Sequence, residues 1–229
     1  MKILDKVEGE NVRNYAFRTI LDNIVTLELP PGSAVSENEL SDSLHISRTP
    51  VREALLEMRR LELVESFPQK GSYVTKIDYN LIDDASFIRM SLEVSIVRYA
   101  CRKGVSDQYL KKMRENLEQQ KMYEQSDSSH FVMLELDNAF HRLLFESVQK
   151  LQVHEFMQMQ MVHFDRLRNL EFLLLKKAKN KRTVADHENI VYAIEKRDEE
   201  LAEMVMSRHL SRHLGEKEEL TRLCPEYFR

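Results

Sequence analysis

A mainly α-helical chain, with an N-terminal winged helix-turn-helix followed by an antiparallel all-α bundle, is predicted by three observations on these 229 residues. Three short helical segments run into a hairpin pattern before Ile77. No strand pattern follows it. The second half repeats apolar residues at helical period, and with only 5 glycines in the chain little interrupts its long segments.

The elements follow in order. Tyr15 to Leu29 carries Phe17, Ile20, Leu21 and Ile24 at helical period, and Pro30-Pro31-Gly32 ends it. Ser36 with Glu39 forms a capping box for a short second helix whose inward residues are Leu40 and Leu44, and His45-Ile46 is the turn. The third helix opens at Ser47-Arg48-Thr49-Pro50. Pro50 at a first helical position loses no useful N–H, and Ser47 or Thr49 can cap the exposed amides. Val51, Leu55 and Met58 form one stripe, and Arg48, Arg52 and Arg59 form another about 100° away at 3.6 residues per turn. The apolar stripe packs, and the arginines are either a solvated face or a set of contacts for phosphates and base edges. Leu63 to Phe67 and Ser72 to Ile77 read as strands joined by Pro68-Gln69-Lys70-Gly71, a wing with a basic tip. In such an arrangement the third helix enters the major groove of DNA and the wing touches the backbone or minor groove.

The run from Pro30 to Thr75 resembles the DNA-binding domain of the GntR family of bacterial transcription regulators. The resemblance implies operator contacts from Arg48, Thr49 and Arg52, close approach of the wing at Gly71, and a weaker contact from Lys70. Where the family often has an arginine in its second helix, this chain has Asn38, which can read adenine bidentately and points to a shifted operator preference.

Length and composition favour two domains, 1–77 and 78–229, and 42% hydrophobic content is enough for a core in each. No apolar run approaches the roughly 18 residues of a membrane helix, and the N-terminus lacks a signal-peptide core, so the expected location is cytoplasmic, on the nucleoid when DNA is bound. Cys101 and Cys224 have no C-x-x-C spacing and read as reduced thiols. Residues 1–76 hold 10 Lys and Arg against 12 Asp and Glu, so the basic character is local and the expected DNA affinity leans on two-fold avidity rather than on general charge.

After Ile77 the helical segments are Asp78 to Lys103 with a stop at Gly104, Ser106 to Tyr123, Ser129 to Val148, Leu151 to Leu175, Thr183 to Arg197 and Asp198 to Leu214. The Lys176 to Arg182 stretch reads as a solvated connector, and the tail after Gly215 as a short helix or a disordered end. Asp137 and His141, four apart, share a face, a spacing that lets both converge on one ion but is weak evidence by itself. His187 near the start of one helix and His209 near the end of the next would be brought together by antiparallel packing, although each histidine taken singly reads as a core or surface residue. The pattern over about Asp78 to Gly215 resembles the FCD effector-binding domain of the FadR-like branch of the same family, in the shorter, six-helix variant. That resemblance implies a divalent ion held by Asp137, His141, His187 and His209, with Zn, Ni, Mn or Fe suited to three imidazoles and a carboxylate. It also singles out Arg89 and Glu93: Arg89 either clamps a ligand carboxylate, or pairs with Glu93 at i, i+4, or does both with Glu93 orienting it. His130, His154, His163 and His213 read as surface or packing residues.

The expectation is a homodimeric regulator, a repressor by preference and not an enzyme. It binds a two-fold operator in double-stranded DNA and responds to a small carboxylate bound at or near the metal. Two rivals remain open at this point. One is a metal-responsive regulator with a structural or sensory ion, and the other a helical metalloenzyme, for which no general base is placed by sequence.

Overall fold

The structure, a computed structural model, describes residues 1–123, 130–175, 179–212, 215 and 217–229, and all their side chains except those of 130, 131, 172 and 179–181. Two compact units emerge: residues 1–82 with 162–174 and 218–229, and residues 83–161 with 175–217.

The first unit begins with α1 (Val12–Val25), β1 (Ala34–Val35), α2 (Glu37–Leu44), α3 (Arg48–Arg60), β2 (Val64–Phe67) and β3 (Gly71–Val74). Helix α1 starts earlier than its apolar period suggests, because the Asn11 side chain accepts from the Asn14 amide at 2.8 Å. It ends earlier too: Leu27 takes φ 65°, in the left-handed region, before the prolines are reached. Ser36 caps α2 through the Glu39 amide, and His45 ends it at φ 53°. Ser47 takes the N-cap position of α3 but makes no side-chain cap bond. The helix therefore begins at Arg48, which puts Pro50 at its third position rather than its first, still in the turn whose amides need no intrahelical acceptor. Ile20 and Ile24 pack with Val51, Ala54, Met58, Leu63 and Val74 in a fully buried core.

The wing contains a strand that periodicity did not reveal. β1, only two residues long, pairs antiparallel with β3, giving the order β1-β3-β2 with Val64 opposite Val74 and Phe67 opposite Gly71. Two more pieces of chain complete this unit. From α8 (Val162–Leu175), fully buried Arg166 donates Nη2 to the Thr75 carbonyl at 2.5 Å, and His163 donates Nε2–H to the Leu61 carbonyl at 2.8 Å. After α11 (Lys217–Leu223) and a 3-10 turn at Pro225–Tyr227, Phe228 bridges to Ile77 and stacks on Tyr79, while Arg229 binds Asp78 at 2.8 Å. The C-terminal tail is thus structured.

The second unit is built from α4 (Tyr79–Lys103) beyond residue 82, α5 (Asp107–Tyr123), α6 (His130–Ser147), α7 (Leu151–Gln158), α9 (Lys179–Lys196) and α10 (Glu199–Leu210). The expected single segment from Leu151 to Leu175 is two helices. Met159 to Met161 form a turn, with Gln160 and Met161 amides bonded to the Met157 and Gln158 carbonyls. No proline or glycine announced that break. Among the described residues, α4 to α10 make seven helices where six were expected. Gly104, at φ 79°, ends α4, and Asp198 caps α10 through the Leu201 amide. Both cysteines are buried free thiols. Among the described residues no helix is long and apolar enough to cross a membrane. His213 and Lys176 to Ala178 lie outside the described residues, as does the side chain of His130.

Candidate metal centre and nucleic-acid interface

Asp137 and His141 from α6, His187 from α9 and His209 from α10 present ligand atoms that all lie within 4.8 Å of one another. His141 Nε2 and His209 Nε2 are 3.2 Å apart, and Asp137 Oδ1 lies 3.5 Å from His187 Nε2. The cluster is buried, with His187 at 0% and His141 at 1% exposure. Burial, reinforced by the charge of His209, pushes the His187 pKa well below the ordinary value, so the ring is neutral. Burial lowers His209 as well, against the nearby Asp186 carboxylate, which opposes it.

The outer nitrogens explain why the inner ones face each other. His141 Nδ1 lies 2.5 Å from Glu93 Oε2, His187 Nδ1 lies 2.9 Å from Gln120 Oε1, and His209 Nδ1 lies 3.6 Å from Asp186 Oδ2. Each outer oxygen is itself held. Asn116 donates to the Leu136 carbonyl and accepts from Gln120 Nε2 at 2.6 Å, which turns the Gln120 carbonyl oxygen toward His187. Glu93 receives Arg89 Nε at 2.7 Å on its other oxygen; burial alone raises the Glu93 carboxyl, but Arg89 and His141 outweigh it and bring it to about 2. Asp186 is bound by Arg208 at 2.5 Å and by Arg212. Of these three contacts the one between His187 and Gln120 is a hydrogen bond, and it places the N–H of His187 at Nδ1 and leaves its Nε2 with the lone pair inward. His187 Nε2 is buried and makes no hydrogen bond, an arrangement a divalent cation satisfies.

The winged-helix surface is a separate site. Arg48, Thr49 and Arg52 are exposed along α3, and Asn38 is exposed at the start of α2. Arg48 lies 3.7 Å from Glu37, so its guanidinium is partly occupied when no DNA is present. Arg59, in the same arc, donates to Ser66 Oγ at 3.3 Å and ties α3 to the wing instead. At the wing tip Lys70 is exposed and its carbonyl accepts from Tyr73. Gly71 adopts φ 102° with nothing near the position of a Cβ, so the glycine answers to the turn and to whatever approaches from outside.

Residues 14–74 match the model of the bacterial regulatory proteins of the gntR family, and residues 84–212 match the FCD domain, more than half of the chain. The chain belongs to the GntR family. It is 31% identical over 97% of its length to an HTH-type transcriptional regulator in an unstable DNA locus of Streptomyces ambofaciens, covering 92% of that protein. It is 30% identical over 87% of its length to the HTH-type transcriptional repressor RspR of Escherichia coli K12, covering 86% of it. Among solved structures, E. coli McbR/YncC superposes with a TM-score of 0.75 at 17% identity over 93% of this chain and 99% of that one. A GntR regulator from Rhodococcus sp. RHA1 gives 0.66 at 18% identity over 94% and 98%. This GntR regulator is therefore a DNA-binding transcription regulator and not an enzyme, and FCD domains commonly bind metal.

Several residues that surround this cluster of the GntR regulator had little signal of that role in the sequence. Glu93 was read only as a partner of Arg89, and Gln120, Asn116 and Asp186 were not singled out. Asp186 had one available signal, its position directly before His187. The i, i+4 pair of Arg89 and Glu93 is formed and buried. His154 and His163 are buried packing residues, held by Gln158 and by the Leu61 carbonyl.

Proposed function

We propose that this regulator binds a two-fold operator as a homodimer and represses, and that a small organic acid bound at a divalent metal held by Asp137, His141, His187 and His209 releases it. The observation that carries the reading is the convergence of three imidazoles and the Asp137 carboxylate, with ligand atoms within 4.8 Å of one another, and an oxygen of Glu93, Gln120 or Asp186 beside the outer nitrogen of each ring. Zn, Ni, Mn or Fe suits that donor set. Three neutral rings and one anion leave positive charge on a divalent ion, which supplies a Lewis-acidic point for a carboxylate oxygen. Arg89, whose charge already lowers the pKa of both His187 and His209, adds a second attraction for the same acid. Glu93 fixes the Arg89 guanidinium and the His141 ring together, so ligand contact and metal ligation share one support.

In the winged-helix unit Arg48, Thr49 and Arg52 read base edges, Asn38 contributes from α2, and Lys70 and Gly71 bring the wing to the backbone. The name of RspR supports repression as the sign, and binding chromosomal operator DNA places its action in the cytoplasm, on the nucleoid. The deep burial of His187 and His141 favours one alternative, a metal that is structural or is itself the signal. The test is to select an operator from random duplexes and titrate hydroxy acids, sugar acids and dicarboxylates into the complex. Release by an acid that depends on bound metal supports the proposal, whereas release by metal addition or chelation alone supports the alternative.

A further inference from the structure

Helix α4 carries an exposed row at i, i+4 spacing made of Phe87, Ser91, Ser95 and Tyr99. Phe87 is 75% exposed, the most solvated phenylalanine among the described residues. Asp83 and Asp84 lie exposed before the row, and Arg102 and Lys103 lie exposed at its end. The row is complementary to its own reverse. If a second copy of α4 runs antiparallel across a two-fold axis level with residue 93, Phe87 meets the partner's Tyr99 and Ser91 meets the partner's Ser95. The same operation sets Asp84 against the partner's Arg102 and Asp83 against the partner's Lys103. Acids early and bases late in a helix also complement its dipole. That explains the charges taken singly, but not a solvated Phe87 at a fixed distance from them.

A socket lies where the symmetry needs one. Beside Ser95 and Tyr99 runs a groove of about 620 Å³ between α4 and α7, its floor formed by Leu92, Ile96 and Val153. Serine at both central positions lets the two helix backbones approach closely. Among the described residues Arg102 gives only Nε to Glu199, at 2.7 Å, out of five donors.

We propose that this face of α4 is a two-fold interface with a second copy of the chain, each Phe87 entering the groove of the other protomer beside the partner's Tyr99. The proposal rests on the dimeric reading above and adds which surface makes the dimer. The test is sedimentation of the full-length protein at micromolar concentration, together with Phe87→Asp and with the double variant Ser91→Cys, Ser95→Cys under mild oxidation. We expect a wild-type dimer, dimerisation weakened roughly 30-fold or more by Phe87→Asp at an unchanged circular dichroism spectrum, and a disulfide-linked dimer from the cysteine pair. Wild-type protein should not cross-link, since Cys101 and Cys224 are buried. A Phe87→Asp protein with the wild-type dimerisation constant, or a dimer in which the introduced cysteines stay reduced, overturns this face and leaves the dimeric reading standing. A monomeric wild-type protein overturns both.

Discussion

His187 concentrates the chemistry at the scale of single residues. Its ring is fully buried, its Nδ1 is committed to Gln120, and its Nε2 has no hydrogen-bond partner. A buried acceptor without a donor costs about 1–3 kcal/mol, which a bound cation removes. Gln120→Leu keeps the volume and removes the outer oxygen, so metal affinity should fall by roughly 10- to 100-fold with the fold intact, measured by competition against a fluorescent chelator. His163 makes a prediction about pH. Burial holds its pKa below the ordinary 6.5, with Arg166 lowering it further and its bond to the Leu61 carbonyl opposing, so the native ring resists a proton that the unfolded chain accepts. For a depressed value the contribution to stability is complete above 6.5 and is lost as pH falls from there toward the folded pKa. His163→Gln keeps a donor for Leu61 and should flatten the fall in melting temperature between about pH 6.5 and pH 5, compared with wild type. An unchanged slope contradicts the assignment.

At the scale of elements, the proposed operator contacts divide between α3 and the wing. Arg52→Ala should cost about 1–3 kcal/mol on the selected operator and little on random duplex, whereas Lys70→Ala should weaken both alike and reduce the salt slope by about 1. Fluorescence anisotropy at several salt concentrations separates the two. Arg166 of α8 binds Thr75 at the base of the wing, so Arg166→Met should destabilise the protein by about 1–3 kcal/mol through the abandoned Thr75 carbonyl, seen as a lower urea midpoint. The helices were legible in the sequence because they are amphipathic and bounded by signals such as Ser36, Gly104 and Asp198, which act locally. β1 was not, since two residues carry no period. The α7 to α8 break was not, because ordinary residues make that turn. That Asp137, His141, His187 and His209 converge was readable from spacing and family likeness, but Glu93 and Gln120 were not readable as partners of the rings, and Asp186 only by its place before His187. Glu93 and Gln120 reach the rings from other helices, by packing that no spacing along the chain encodes.

For the whole molecule the account is one of linkage. An acid changes operator affinity only through its different affinity for the bound and released arrangements, typically about 1–3 kcal/mol of coupling. With residues 1–76 carrying more acidic than basic side chains, 12 against 10, a single head has little general attraction for DNA, and in the proposed dimer avidity supplies the rest. The most direct measurement is the thermal stability of the purified protein against sugar acids, hydroxy acids and dicarboxylates, before and after chelator treatment, with His187→Ala alongside. The account predicts an acid that raises the melting temperature of the untreated wild type and does nothing after chelation or in His187→Ala. An acid that stabilises the chelated protein and His187→Ala equally well would contradict it.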